Sequence, residues 1–205
     1  MKNFLISFAA LFFLTPALFA EDNSAHRYDV KSGIIEYTVS GARVGIETLY
    51  FDDWGKTEAR VSKTSTNLTD TPNSPDDSLS LIKDGKSYVI DLRSNKGTVT
   101  DNSKTLAMSG DTSTRTQMSL PTSNKITIAG EECIIWKSAL LNSESCLWKN
   151  LPLKTTSGSD SMLVTKSATK ITITDQLPAD AFKLPENLDI TTLNLSELFE
   201  IPATG

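Results

Sequence analysis

The residue pattern points to a mainly β, exported domain built from antiparallel hairpins. Three features carry this. Residues 34–39 alternate so that Ile35, Tyr37 and Val39 share one face. Asp84-Gly85, a strong hairpin signal, stands between two β-forming runs. Short runs of this kind recur along most of the chain between turn-forming residues, and helical signals are confined to a short stretch near Thr105 and to the C-terminus.

The chain begins with Lys2, an almost unbroken apolar run from Phe4 to Phe13, Pro16, and Ala17-Leu18-Phe19-Ala20 before Glu21-Asp22. This is the layout of a secretory signal peptide cleaved after Ala20. Removing residues 1–20 leaves 185 of the 205 residues as one β-rich domain, 21–205, with a short C-terminal tail, and takes the net charge from −5 to −6. No later stretch approaches the roughly 18 apolar residues of a spanning helix, so stable membrane insertion is not expected. The acidic balance argues against nucleic acid as a partner. The expected location is the periplasm.

Taken in order, a second strand is expected at 46–51 after a turn spanning Gly41 to Gly45. Asp52-Asp53-Trp54-Gly55 has hairpin-loop composition, with Gly55 suited to a left-handed conformation. The strand at 56–62 is polar, and its register is open: Leu49 pairs with Glu58 or with Ala59, depending on the loop. Residues 67–77 read as a loop. Centring the next hairpin on Asp84-Gly85 sets Leu81 opposite Tyr88 and Leu79 opposite Ile90, with all four on one buried face. Residues 95–121 are weakly patterned, with a short helix around Thr105 to Met108. Further strands are expected at 125–129, 132–138, 145–149, 153–156, 161–167 and 169–174, and near-helical spacing at 188–199 suggests a terminal helix.

The residues that usually build active sites are scarce. His26 is the only histidine, and it lies near the start of the mature chain where the backbone tends to fray. One histidine and two separated cysteines cannot supply a zinc site, and no metal or cofactor is expected. Neither a phosphate-binding loop nor a dinucleotide fingerprint is present. Asp52-Asp53 is better explained by turn chemistry than by catalysis, and Asp70, Asp76 and Asp77 lack calcium-loop spacing. Cys133 and Cys146 would meet an oxidising compartment, which favours a disulfide. A hairpin centred on Asn142-Ser143, however, sets Cys133 opposite Pro152 and Cys146 opposite Ala139, several residues apart. Both the joined and the free state remain open.

The aromatic set is more suggestive. Tyr37, Tyr50, Phe51, Trp54, Tyr88, Trp136, Trp148 and Phe182 fall in or beside expected strands. They form either a filled core or the wall of a concave face open to a lipid-like ligand, with Tyr37, Tyr50, Tyr88, Trp136 and Trp148 as the candidate wall.

The segment Gly45-Ile-Glu-Thr-Leu-Tyr-Phe-Asp-Asp-Trp-Gly-Lys-Thr-Glu-Ala resembles a G-x-E-T-x-Y-F-D-D-[YW]-G signature of small exported bacterial proteins. Ile128-Ala-Gly-Glu-Glu-Cys-Ile-Ile-Trp, Cys146-Leu-Trp-Lys-Asn-Leu-Pro-Leu-Lys and Ala179-Asp-Ala-Phe-Lys-Leu-Pro follow in an order similar to the periplasmic lipoprotein-carrier superfamily, the LolA/LolB-like group. The resemblance covers roughly Gly33 to Pro185. It implies a strongly bent antiparallel sheet, an incomplete barrel, with one or two short helices on its concave side and a cavity for acyl chains. On this footing the expected function is non-enzymatic binding of a lipid or lipidated protein. An envelope protein-interaction module with a filled core is the alternative.

Overall fold

The computed structural model describes residues 26–68, 74–101 and 119–193. The leader, the helix expected near Thr105 and the second half of the stretch expected as a terminal helix, 194–199, lie outside the described residues. All strands belong to one sheet, ordered β12-β6-β5-β4-β3-β2-β1-β11-β10-β9-β8-β7 and not closed into a barrel. Two antiparallel meanders grow outward from β1 (Gly33–Gly41). One runs through β2 (Arg43–Asp52), β3 (Thr57–Thr66), β4 (Pro75–Lys83), β5 (Lys86–Asp91) and β6 (Lys96–Asp101). The other comprises β7 (Leu120–Ile128), β8 (Glu131–Ser138), β9 (Ser143–Trp148), β10 (Leu151–Ser157) and β11 (Val164–Ile173), with β11 returning to pair with β1. The last strand, β12 (Asp189–Leu193), adds parallel to β6. Register breaks at Glu36/Tyr37, Pro152/Lys154 and Pro121/Lys125 give this long sheet the local bends that bulges produce.

The strongest local signals hold. Ile35, Tyr37 and Val39 are all buried on one face of β1. Leu79 pairs with Ile90 and Leu81 with Tyr88, around a turn in which Asp84 and Gly85 both have positive φ. Such a turn matches the twist of the strands that it joins.

Several expectations are corrected. Leu49 pairs with Arg60, not with Glu58 or Ala59, because a 3-10 turn at Asp53–Gly55 plus Lys56 makes a longer loop closed by Asp52 and Thr57. The turn spanning Gly41 to Gly45 contracts to Ala42, held by its N–H donating to Leu163 O and its carbonyl accepting from Asn67 N. Asp76 sits in β4 and pairs with Arg43 rather than lying in a loop. The two strands expected at 161–167 and 169–174 are one, β11, accommodated by the bulge opposite Glu36/Tyr37. Residues 96–101 form a strand inside the weakly patterned region, and 189–193 form a strand where helical spacing was read. Helical geometry among the described residues is confined to the 3-10 turns Asp53–Gly55 and Asp160–Met162.

The disulfide question is settled by register. Ser138 pairs with Ser143, so the β8–β9 turn is Ala139 to Asn142 rather than one centred on Asn142-Ser143. Cys146 then pairs with Ile135, which brings Cys133 onto the diagonal position two residues away. Their Cα atoms are 5.3 Å apart, and the two sulfurs are bonded.

Two hydrophobic clusters form. The larger gathers Tyr28, Ile35, Tyr37, Leu49, Phe51, Leu151, Leu153 and the disulfide, with Trp148 packed against it. The smaller holds Ala59, Leu79, Leu81 and Ile90, covered by Tyr50, Tyr88, Phe182 and Leu188. Leu49 and Phe51 alternate with Tyr50, so the β2–β3 part of the sheet carries the two clusters on opposite faces.

The disulfide spans 13 residues, a loop for which chain entropy suggests about 3 kcal/mol of stabilisation. Replacing both cysteines with serine should lower the unfolding free energy by about that amount, measured by urea titration.

Candidate functional site

The inner face of the β2–β3 hairpin carries charge as well as apolar groups. Phe51 pairs with Glu58, Leu49 with Arg60 and Glu47 with Ser62, which puts all six on one side. Across β1, Tyr37 pairs with Glu47 and Val39 with Lys166 of β11. The result is a continuous ion-pair chain. Lys166 Nζ lies 2.6 Å from Glu47 Oε1, and Arg60 Nη1 approaches that oxygen at 3.3 Å. Ser62 Oγ donates to Glu47 Oε2, and Arg60 Nε donates to Glu58 Oε1 at 2.6 Å. The Tyr28 hydroxyl donates to Glu58 Oε2, from which Arg27 Nη1 stands 3.3 Å away.

Arg27 and Tyr28 reach this network on an N-terminal strap that crosses one end of the sheet. Both of their N–H groups donate to Trp54 O, Trp54 N donates to Lys31 O, and Asp29 N donates to Lys149 O. The strap thereby joins the β2–β3 and β9–β10 turns. Gly55, at φ +86, leaves room for the Tyr28 ring, which lies 2.7 Å from where a Cβ would stand. His26 stacks on Trp54 at 4.5 Å, so its ring is engaged in the strap.

Glu58 is 2% exposed. Burial by itself would raise its pKa, but Arg60 and Arg27, with the Tyr28 and Arg60 hydrogen bonds, outweigh that and hold it below the ordinary carboxylate value. Burial likewise opposes ionisation of Glu47, and Lys166 and Arg60 reverse the balance. Burial, together with the nearby Arg60, lowers the Lys166 pKa. Burial pushes the Tyr28 and Tyr37 hydroxyls up, so both act as neutral donors.

Beside this network opens a cleft of about 290 Å³. It is lined by Arg27, Tyr28 and Arg60, by the apolar groups of Trp136, Leu141, Leu147 and Pro152, and by polar side chains that include Ser138, Ser143 and Ser145. Of the aromatic residues singled out from sequence, only Trp136 lines this cleft. Tyr37 is buried in the larger cluster, where its hydroxyl donates to Pro152 O at 2.9 Å, and Trp148 packs on the same cluster. Tyr50 and Tyr88 belong to the other cluster. The five do not form one wall.

Sequence reasoning missed Arg27, Tyr28, Glu47, Glu58, Arg60 and Lys166. One signal was present: Glu58 and Arg60 flank Ala59 in a polar strand, so burial of one face of that strand must bury either the alanine or a charged pair. Here both faces are covered.

No protein-family model and no curated protein matches this chain. Among solved structures, the chain is similar to an uncharacterized conserved protein from Thermus thermophilus. That match has 8% identity and a TM-score of 0.51, covering 83% of this chain and 94% of that one. It is also similar to PNGF-II, at 14% identity and a TM-score of 0.50, covering 82% of this chain but only 33% of that one. At these identities the likeness concerns the fold: mainly β, one large unclosed sheet.

Glu58→Gln should cost up to about 3 kcal/mol at neutral pH, because it leaves the partly buried Arg27 and Arg60 short of a counter-charge. The depressed folded-state pKa values of Glu47 and Glu58 set the sign in acid. Below the ordinary value of 4.5 the unfolded chain binds more protons. Stability should therefore be full above about that pH and fall as pH drops through the folded values. Urea midpoints from pH 7 to pH 2 should show this fall, and it should be shallower in Glu58→Gln.

Proposed function

We propose that the protein is an exported, non-enzymatic binding protein of the bacterial envelope that takes a hydrophobic ligand, acyl chains or a lipidated partner, in the cleft beside Trp136. The export signal at residues 1–20 supports the location. The carrier-like half-barrel form belongs to the same proposal, supported by an unclosed sheet bent at its bulges.

The observation that carries it is the composition of the cleft. Trp136, Leu141, Leu147 and Pro152 leave apolar surface at a concavity that also presents Arg27, Arg60 and several hydroxyls. Sites for amphipathic molecules combine these features: apolar burial supplies affinity at about 25 cal/mol per Å², and a few fixed polar groups orient the ligand. The volume is at the low end for ligand sites, which suits a single chain rather than a whole diacyl lipid.

A second reading, an envelope interaction module, draws on the sheet edge. All five residues of β12 are exposed, including Ile190 and Leu193, and an exposed edge strand can accept another strand.

Native mass spectrometry with lipid extraction, on mature protein purified from a periplasmic fraction without detergent, separates the two. A copurified acyl species near one-to-one supports cleft binding. A ligand-free mass together with a stoichiometric protein partner favours the edge. Because Trp136 is half-buried at the cleft rather than in the core, Trp136→Ala should leave the unfolding free energy within about 2 kcal/mol of the parent and strongly reduce the copurified ligand.

A further inference from the structure

The charge network beside the cleft is incomplete in one specific way. Three cations, Arg27, Arg60 and Lys166, share two carboxylates, Glu47 and Glu58. Both oxygens of each carboxylate already accept hydrogen bonds. Glu47 receives Lys166, Arg60 and Ser62, and Glu58 receives Arg60 and Tyr28. Arg27 joins the network through its ion pair with Glu58, at 3.3 Å. Among the described residues, its Nη1 is the single buried side-chain nitrogen or oxygen without a hydrogen-bond partner. Folded proteins leave few such donors, and this one belongs to a residue that lines the cleft.

We infer that Arg27 is the head-group anchor of the cleft, and that the ligand class is a single-chain amphiphile ending in an oxyanion, a carboxylate or a phosphate ester. The inference rests on the cleft being the ligand site. The Arg27 side chain is 28% exposed and lines the cleft, within reach of a ligand there. Reaching such a ligand breaks no hydrogen bond of Nη1; it loosens the 3.3 Å ion pair with Glu58, which keeps Arg60 and Tyr28. An oxyanion in the cleft would then supply the missing acceptor in the paired geometry that guanidinium favours. It would also balance the extra positive charge, which a neutral or cationic head cannot do. Trp136, Leu141 and Leu147 are placed to take the chain.

The test uses four probes of equal chain length: dodecanoate, dodecyl phosphate, dodecanol and dodecyltrimethylammonium. Each is titrated below its micelle concentration into the mature protein by calorimetry, with parent, Arg27→Gln, Arg27→Lys and Trp136→Ala. The parent should bind both anions at least tenfold more tightly than the alcohol or the cation. Arg27→Gln should remove that preference while leaving alcohol binding unchanged, and Arg27→Lys should keep part of it. Trp136→Ala should weaken all probes alike. Tighter binding of the phosphate would indicate a phospholipid-derived ligand, and tighter binding of the carboxylate a free fatty acid. Equal affinity for all four probes in the parent, or an anion preference untouched in a folded Arg27→Gln, overturns the head-group inference and leaves the cleft reading standing. No binding of any probe overturns both. Should Arg27→Gln fail to fold, the parent's ranking of the four heads and the Arg27→Lys titration still decide the matter.

Discussion

Glu58 is a carboxylate almost wholly withdrawn from water, and the closing of one end of the sheet depends on it. It binds Arg60 within its own strand and Tyr28 of the strap, and so links a segment that forms no strand to the middle of the β-sheet. Withdrawing such a charge from water is costly, and an ion pair seldom repays the cost in full. What the arrangement secures is position. An apolar residue at 58 could pack against Phe51 equally well, but it would not select Tyr28 and Arg27 from the residues around them. The strap's backbone bonds to Trp54 and Lys149 follow from that placement, as does the contact of Tyr28 with Gly55.

How much of this is readable from the residues depends on range. Asp84-Gly85 specifies its hairpin because both positive-φ positions lie in the turn, and the side chains on either side agree with the pairing that follows. Ile35, Tyr37 and Val39 announce a buried face in the same way. The β8–β9 hairpin shows the opposite case. Asn142 has positive φ, as its turn composition suggests, yet it ends the turn instead of beginning it. A small error in locating that turn separates two cysteines that are bonded. The strand at 189–193 fails for another reason: it exists by adding to β6, far earlier in the chain, and its own pattern of exposed residues has no strand period. The charge network is the least legible of all. Glu47 and Lys166 lie 119 positions apart, and their meeting depends on the bulge in β1–β11 as well as on the pairing of β1 with β2.

The division of the aromatic residues follows from a single sheet with a cluster on each side. A bent sheet with one buried face would send Tyr37, Tyr50, Tyr88, Trp136 and Trp148 to a common concavity only if all five had the same parity in register. Tyr50 neighbours Leu49 and Phe51 and therefore takes the other side. There it joins Tyr88 through the pairing of Tyr50 with Ala59, Ala59 with Leu81, and Leu81 with Tyr88. The C-terminal segment bearing Phe182 and Leu188 covers that face. Aromatic content thus builds two packed clusters, and of the five only Trp136 lines the cleft beside the charge network.

That outcome bears on where a ligand can go. Opening either cluster for a guest would expose residues such as Phe51, Leu81 and Ile90 that have almost no contact with water, and would forfeit the burial on which the sheet relies. The cleft asks for no such reorganisation. Its apolar side chains are half-buried or exposed already, and its lining includes Arg27, whose Nη1 has a neighbouring charge but no hydrogen bond. Among the described residues, buried side-chain polar atoms are hydrogen-bonded except at Arg27 Nη1, in a residue that lines the cleft. In natural proteins such exceptions concentrate where function needs them. Arg27 helps to hold Glu58 ionised, yet its Nη1 faces that carboxylate across an ion pair without a hydrogen bond, which leaves a donor for the anionic ligand proposed above.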